Sequence, residues 1–165
     1  MRKQLYLDIK NKIKAIKDDN DLQLIKHFDI WNQQVDFLEA ETPFEYPAVF
    51  IEFEPIQWQT QANRVQQAEL LVKIHIVTRW FAQTADYSPT EDISLNYLDI
   101  PDKIFIAIQG TATTNSGGLM RISSIVNHNH GDILDSIEVY KTLITNTLAM
   151  PQQQAVNNVA PVITE

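Results

Sequence analysis

The sequence contains no cysteine and only four glycines among its 165 residues. Without cysteine the chain can form no disulfide, zinc–thiolate site or iron–sulfur cluster, and it has no cysteine nucleophile. The scarcity of glycine speaks against a glycine-rich phosphate loop or a repeated glycine fingerprint. The absence of cysteine is compatible with any redox compartment. Several cofactor and nucleotide chemistries are therefore excluded before any motif is considered.

Long apolar stretches are also missing. No run approaches the ~20 apolar residues of a membrane span, and none of the length found in secretory signals follows the basic N-terminal residues. We therefore expect a protein made in the cytoplasm and without a membrane segment. Hydrophobic residues make up 44% of the chain and charged residues 21%, which is typical of folded globular proteins. A chain of this length needs no metal or disulfide to fold.

Positive charge is scarce and unevenly placed. The net charge of −8 argues against a general DNA coat, which needs an excess of lysine and arginine. Residues 1–26 carry seven basic and four acidic side chains, a net +3, whereas residues 27–165 carry six and seventeen, a net −11. A basic N-terminal stretch on an acidic body can guide self-association or partner docking, or it can be only the solvated face of a helix.

Two helices are predicted from apolar spacing. The first covers residues 2–17, where apolar residues recur every three or four positions and lysines fill the other face. The second begins at Asp99, which can cap it, and stops at Gly110. The apolar faces consist of Leu5, Ile9, Ile13 and Ile16 in the first helix, and of Ile104, Phe105 and Ile108 in the second.

Alternation of side chains predicts the strands. The clearest covers residues 69–78 and is rich in aliphatic and β-branched residues. Residues 48–53 form an earlier strand, and the polar, glutamine-rich residues 56–67 join the two as a long central hairpin. Residues 119–126 and 137–144 predict a second hairpin. Around residues 28–37 the pattern fits either one bent strand or two short ones.

The element order lacks the β-α-β alternation of parallel sheets, so it predicts an α+β fold. We expect a mainly antiparallel sheet with an N-terminal helix and one amphipathic helix packed on one face. Residues 1–146 form the predicted single domain. Residues 147–165, rich in Gln, Asn, Ala and Pro, form an extended C-terminal arm that cannot bury enough apolar surface to order itself. We expect neighbouring subunits or partners to hold this arm.

Candidate chemistry is sparse. His128, His130 and Asp132 could supply three metal ligands, although a polar hairpin turn has the same composition. His75 is expected at the sheet surface. An acidic cluster in the sequence favours either general acid–base work or a solvated or lumen-facing surface. That cluster consists of Glu39, Glu41, Glu45, Glu52 and Glu54. We expect no catalytic residue, no cofactor and no metal ion.

Interface residues are predicted at the ends of the central hairpin and in the arm. Aromatic side chains combined with arginine are enriched in protein interfaces, and connections as long as residues 56–67 are often functional. The tryptophans equally fit ordinary core packing. The predicted interface residues are Trp58, Arg64, Arg79, Trp80, Phe81, Gln152, Gln153 and Val156.

The combined pattern resembles a known family. Phe44-x-x-Pro47-Ala48-Val49-Phe50-Ile51-Glu52-Phe53 follows the basic helix. The long hairpin then ends in residues 72–78, a single amphipathic helix comes next, and Asn129-His130-Gly131-Asp132-Ile133 lies at the last turn. Over residues 1–146 this is similar to the tail-terminator and tail-completion proteins of tailed bacteriophages, and to the related joining rings at the head–tail neck. The Gln/Asn-rich arm departs from the family pattern.

The resemblance implies a non-enzymatic subunit of a homo-oligomeric ring of six or twelve copies. Such a ring sits in the virion, is assembled in the host cytoplasm, and contacts neck, portal-adaptor or tail-tube proteins. DNA passes through it without specific binding, and an acidic wall would repel the phosphates.

Two other functions stay open from the residues alone. One is a metal-dependent, nuclease-like enzyme using His128, His130 and Asp132. The other is a monomeric adaptor that binds a peptide along a sheet edge.

Overall fold

The computed structural model describes residues 1–35, 44–79, 95–127, 129 and 133–151. Its elements in chain order are α1 (Arg2–Lys14), β1 (His27–Ile30), β2 (Ala48–Phe53), β3 (Gln59–Thr60), β4 (Gln66–Arg79), α2 (Asp99–Ile108), β5 (Met120–Asn127) and β6 (Ile133–Asn146). Short 3-10 turns lie at Ala62–Arg64 and Asn96–Leu98. Among the described helices, none has the length and apolar character needed to cross a membrane.

The strands form one sheet in the order β1-β2-β4-β6-β5, with β3 paired to β4. The long antiparallel pair of β4 and β6 is its centre and runs from Gln66↔Asn146 to Arg79↔Ile133. β2 and β4 form the predicted central hairpin, and β5 and β6 form the second hairpin. β1 and β2 pair in parallel, which the sequence did not indicate. Residues 31–47 provide the long crossover that parallel neighbours require.

Both helices pack on the same face of the sheet, so the predicted α+β architecture is confirmed. The apolar stripe of each helix meets every second residue of the central strands, as strand periodicity dictates. The main core contains Leu5, Ile9 and Ile13 of α1, Ile100, Ile104 and Ile108 of α2, and Val49, Ile51, Leu70, Val72, Ile74, Ile76, Tyr140 and Ile144 of the sheet.

The first helix ends at Lys14 instead of Lys17 because the following residues close a turn. The Asp18 carboxylate accepts the backbone N–H groups of Asn20 and Leu22, both at 2.9 Å. The bond from Leu22 is the main reason that the pKa of Asp18 is lowered. Ile16 still packs against the main core.

The second helix begins differently from the prediction. A 3-10 turn precedes it, Leu98 occupies the N-cap position, and Asp99 is already helical. No side chain caps the first turn, so the predicted capping role of Asp99 is wrong. Gly110 does end the helix, with φ of +76°, a conformation that glycine adopts without strain.

The opposite face of the sheet carries a smaller apolar cluster over β2 and one end of β4. Where the sequence left one bent strand or two short ones open, the described residues up to 35 contain one strand, His27–Ile30. Val35 is buried beyond it, and Phe37 lies outside the described residues. The smaller cluster contains Val35, Ala48, Phe50, Val77 and Ile133, with Trp31, Phe44 and Tyr46 packed against it.

Candidate assembly surfaces

The three predicted interface residues that the structure describes do not form one patch. Trp58 is half-buried against the main core, which matches the core-packing interpretation. Arg64 is exposed on the 3-10 turn before β4, and Arg79 is exposed at the far end of that strand. The two arginines are therefore separated by the whole length of β4. Trp80, Phe81, Gln152, Gln153 and Val156 lie outside the described residues.

Arg79 lies at the rim of a cleft of about 860 Å³ that also contains Tyr46, Lys26, Asp99 and Lys103. The guanidinium carbon is 5.5 Å from the centre of the Tyr46 ring. Burial raises the pKa of Tyr46, and the charge of Arg79 opposes that shift. Residues 80–94, which the structure does not describe, begin at this rim.

His75 is buried, so its predicted place at the sheet surface is wrong. Trp31 stacks on the imidazole with the ring centres 3.7 Å apart and the planes within 5° of parallel. Nδ1 lies 3.4 Å from a carboxylate oxygen of Asp135, and Nε2 lies 3.3 Å from Glu52. His75 is only 4% exposed and Asp135 only 1%. The Glu52–His75–Asp135 network is thus covered by an indole and lacks room for a substrate.

The acidic cluster is partly neutralised. Lys73 bridges Glu52, at 3.4 Å, and Glu54. The hydrogen bond to Glu54 is the main reason that the pKa of Lys73 is raised. Glu45 is exposed, while Glu39 and Glu41 lie outside the described residues.

No metal site is found in the part of the chain that the structure describes, because no three histidine or acidic side chains there are placed to hold an ion. The candidate ligands His128, His130 and Asp132 are outside that part. The buried network of His75 is closed to substrate. The described residues therefore offer no catalytic constellation.

The outer edge of β5 is the most open surface of the described sheet. Met120, Ile122, Ile125 and Val126 are 46–62% exposed; we call these four residues the β5 edge surface. On its outer side β5 pairs with no strand among the described residues. Only the N–H of Arg121 finds a partner there, the Gln109 side-chain oxygen at 3.1 Å.

The other edge of the sheet is protected. The Asp29 carboxylate accepts the N–H of Ile30 at 2.8 Å, and the Gln34 amide donates to the Ile30 carbonyl at 2.8 Å. β1 is also only four residues long. Short strands and local side-chain caps are how proteins prevent unwanted strand pairing. By contrast, the β5 edge carries no such protection among the described residues, so it is the edge better suited to pairing with another strand.

β5 is held firmly on its inner side. The Arg121 guanidinium lies 3.1 Å from the buried Glu138 carboxylate and stacks 4.1 Å from the Phe105 ring of α2. The Ser124 hydroxyl donates to the same carboxylate at 2.7 Å. Arg121 is the only charged residue of the strand, and its guanidinium is engaged by Glu138 and Phe105. The β5 edge surface is therefore both apolar and rigidly anchored.

Neither a protein-family model nor a curated protein matches this sequence. The solved structures include a similar chain, from the "Virion of native gene transfer agent (GTA) particle". The TM-score is 0.51 at 12% identity, and the match covers 86% of this chain and 95% of the other. At this identity the likeness concerns the fold alone. The α+β fold of this chain is thus one that also occurs in a virion particle.

Proposed function

We propose that this chain is a non-enzymatic structural subunit of a tailed-phage or phage-like virion. The observation that carries the proposal is the fold shared, over most of both chains, with a component of a gene transfer agent virion. In this proposal residues 1–146 form the domain, and residues 147–165 form an arm that contacts a neighbour.

The finer part of the proposal is a closed ring at a tail end or head–tail neck. One edge of the sheet is open and the other is capped, so two copies would associate through different surfaces. Head-to-tail association of this kind closes into a ring when the rotation allows it. Six or twelve copies would then contact neck, portal-adaptor or tail-tube proteins. The predicted interface residues all stay predictions: Trp58, Arg64, Arg79, Trp80, Phe81, Gln152, Gln153 and Val156.

The charge distribution supports a conduit for DNA. Residues 27–165 carry a net −11, whereas residues 1–26 carry a net +3. A like-charged wall repels phosphate and lets DNA pass without adhering. In this proposal the exposed basic residues of α1 meet the acidic body of a neighbouring subunit; these residues are Arg2, Lys3, Lys12 and Lys14.

Cryo-electron microscopy of the purified protein at high concentration, together with its parent particle, tests the proposal. We expect closed rings in at least one of the two samples, and the copy number distinguishes a six-fold tail ring from a twelve-fold neck ring. A protein that stays monomeric and is missing from the particle would contradict the virion function and favour a peptide-binding adaptor.

A further inference from the structure

The open edge of β5 has the properties of a receptor for an additional strand. Four of its eight residues carry apolar side chains, and these are about half exposed. Apart from Arg121 N–H, its outward backbone groups have no partner among the described residues. An extended segment added to such an edge gains main-chain hydrogen bonds and side-chain contacts together. An edge of this kind left uncovered promotes aggregation.

The composition of residues 152–165 matches this edge. Glu165 is their only charged residue, and Val156, Val159, Val162 and Ile163 supply β-branched side chains. Such residues favour strand conformation. β5 is equally poor in charge, because Arg121 is engaged by Glu138. Two uncharged, β-branched segments can pair without burying an unpaired charge.

The position where the described chain ends favours a neighbouring copy as the source of that segment. The last residues of β6 lie beside the loop of residues 115–117. The Gly117 N–H donates to the Leu143 carbonyl at 2.8 Å, and the Thr145 N–H donates to the Asn115 carbonyl at 2.9 Å. This loop stands between the end of β6 and the outer edge of β5 in the same molecule. Leu148 is 89% exposed, so at this point the chain no longer packs on its own core. Fourteen extended residues span roughly 46–50 Å, enough to reach another copy.

We propose that the β5 edge surface of one copy binds residues 152–165 of the next copy as an added strand. The inference rests on the proposed function, since it requires that copies assemble. It names the contact that joins them: the C-terminal segment is the donor and β5 is the acceptor. Each copy uses both once, so the contact is head-to-tail.

Site-directed crosslinking tests this contact, because the chain has no cysteine of its own. Ile125→Cys and Val159→Cys variants of the full chain, carrying different tags, are co-expressed and treated with a short bismaleimide. We expect a product of twice the monomer mass that contains both tags. Ile106→Cys replaces Ile125→Cys as the matched control, since Ile106 is a 77% exposed isoleucine on α2. That control is expected to lose the product.

Three results would overturn the inference. A mixed-tag product no stronger than that of the Ile106→Cys control shows that the segment does not bind β5. An Ile125→Cys product with itself shows two-fold pairing of β5 strands. A double variant, with Ile125→Cys and Val159→Cys in one chain, that crosslinks only within that chain shows that the segment binds its own copy.

Microscopy of the same samples separates this inference from the proposed ring. Rings without the mixed-tag product contradict only this contact, and mixed-tag chains that never close contradict the ring.

Discussion

At the scale of single residues, the buried polar groups have structural roles. Both ring nitrogens of His75 face carboxylates, and the amide of Asn127 lies 3.5 Å from the same Asp135 oxygen. Removing one member of such a buried set leaves its partners without compensation, which is more costly than losing an exposed ion pair. The network fixes Trp31 over the sheet and joins β2, β4 and β6.

Asp135→Ala is therefore expected to lower the free energy of unfolding by about 3 kcal/mol. Glu69→Ala is the matched control, because Glu69 is an exposed carboxylate on the same sheet paired with Lys141. Its loss is expected to cost less than about 1 kcal/mol. Urea unfolding of both variants measures the difference. Equal effects would show that burial of the Asp135 network contributes nothing extra.

For the hydroxyl of Tyr140 we expect the opposite effect on the free energy of unfolding. Its ring is fully buried in the main core, and its hydroxyl has no hydrogen-bond partner among the described residues. Burial raises the pKa of Tyr140, and the nearby Glu138 carboxylate adds to the shift. Tyr140→Phe removes an unsatisfied polar group and is expected to raise the free energy of unfolding by about 1 kcal/mol. Tyr140→Ala, which also removes the ring, should lower it by about 3–5 kcal/mol. A destabilised Tyr140→Phe variant would show that the hydroxyl is satisfied.

The ion pairs of Lys73 predict a pH dependence. The pKa of Lys73 lies above its ordinary value of 10.5 in the folded protein, so its stabilising effect is complete below that value. The effect is lost as the pH rises through the raised pKa. Lys73→Met keeps most of the side-chain stem and should cost about 1 kcal/mol at neutral pH.

Urea unfolding of wild type and Lys73→Met from neutral to strongly alkaline pH measures this prediction. The difference in free energy should stay constant up to about pH 10 and shrink above it. A difference that grows at high pH would contradict the raised pKa.

At the scale of elements, the local sequence pattern predicted the limits of a strand, because these depend on neighbouring residues in the chain. Residues 48–53 are rich in β-branched and aromatic side chains and are bounded by Pro47 and Pro55, so β2 was predicted with its observed limits. The parallel pairing of β1 could not be predicted, because it depends on the path of residues 31–47. The burial of His75 could not be predicted either, because its cover, Trp31, is 44 positions away in the chain. Sequence alternation shows which residues share a face, but it does not show what covers that face.

The sequence of β5 contains an indication of its open edge. Residues 120–127 place apolar side chains on both faces and carry one charge, which is unusual for an edge strand exposed to water. The interface residues predicted at the ends of the central hairpin and in the C-terminal arm stay predictions.

The end of α2 provides an element-scale prediction. Gly110 has φ of +76° and its N–H donates to the Leu119 carbonyl at 2.8 Å, so it connects the helix to the start of β5. Gly110→Ala meets no atom within 4 Å, so its cost is conformational, about 1–2 kcal/mol. Gly117→Ala is the control, because its added carbon lies at an ordinary contact distance of 3.7 Å from Thr142. Thermal unfolding should distinguish the two. Equal midpoints would exclude a conformational requirement at Gly110.

At the scale of the whole molecule, the sheet is asymmetric. Two helices cover one face, and the smaller apolar cluster covers part of the other. Of the two edges, the one at β5 is open among the described residues. The charge is asymmetric too, with a basic first helix on an acidic body. A molecule with different surfaces at its two ends associates head-to-tail more readily than through a two-fold axis. The proposed ring is the closed form of such an association.

Deleting residues 152–165 should separate folding from assembly. The described core is built from residues between Leu5 and Ile144. The midpoint of urea unfolding is therefore expected to stay unchanged when wild type and the deletion variant are compared as dilute monomers, where assembly does not add to stability. Sedimentation velocity should show a shift toward the monomer, since the proposed donor segment is gone. A full-length variant with Val156, Val159 and Val162 all changed to Ser keeps the length and should weaken assembly in the same way. Undiminished assembly in both variants would exclude the segment from the contact. In samples dilute enough for both proteins to be monomeric, a large fall in the unfolding midpoint would instead make the segment part of its own folded core, because a segment that buries apolar surface within its own domain stabilises that domain without a neighbour.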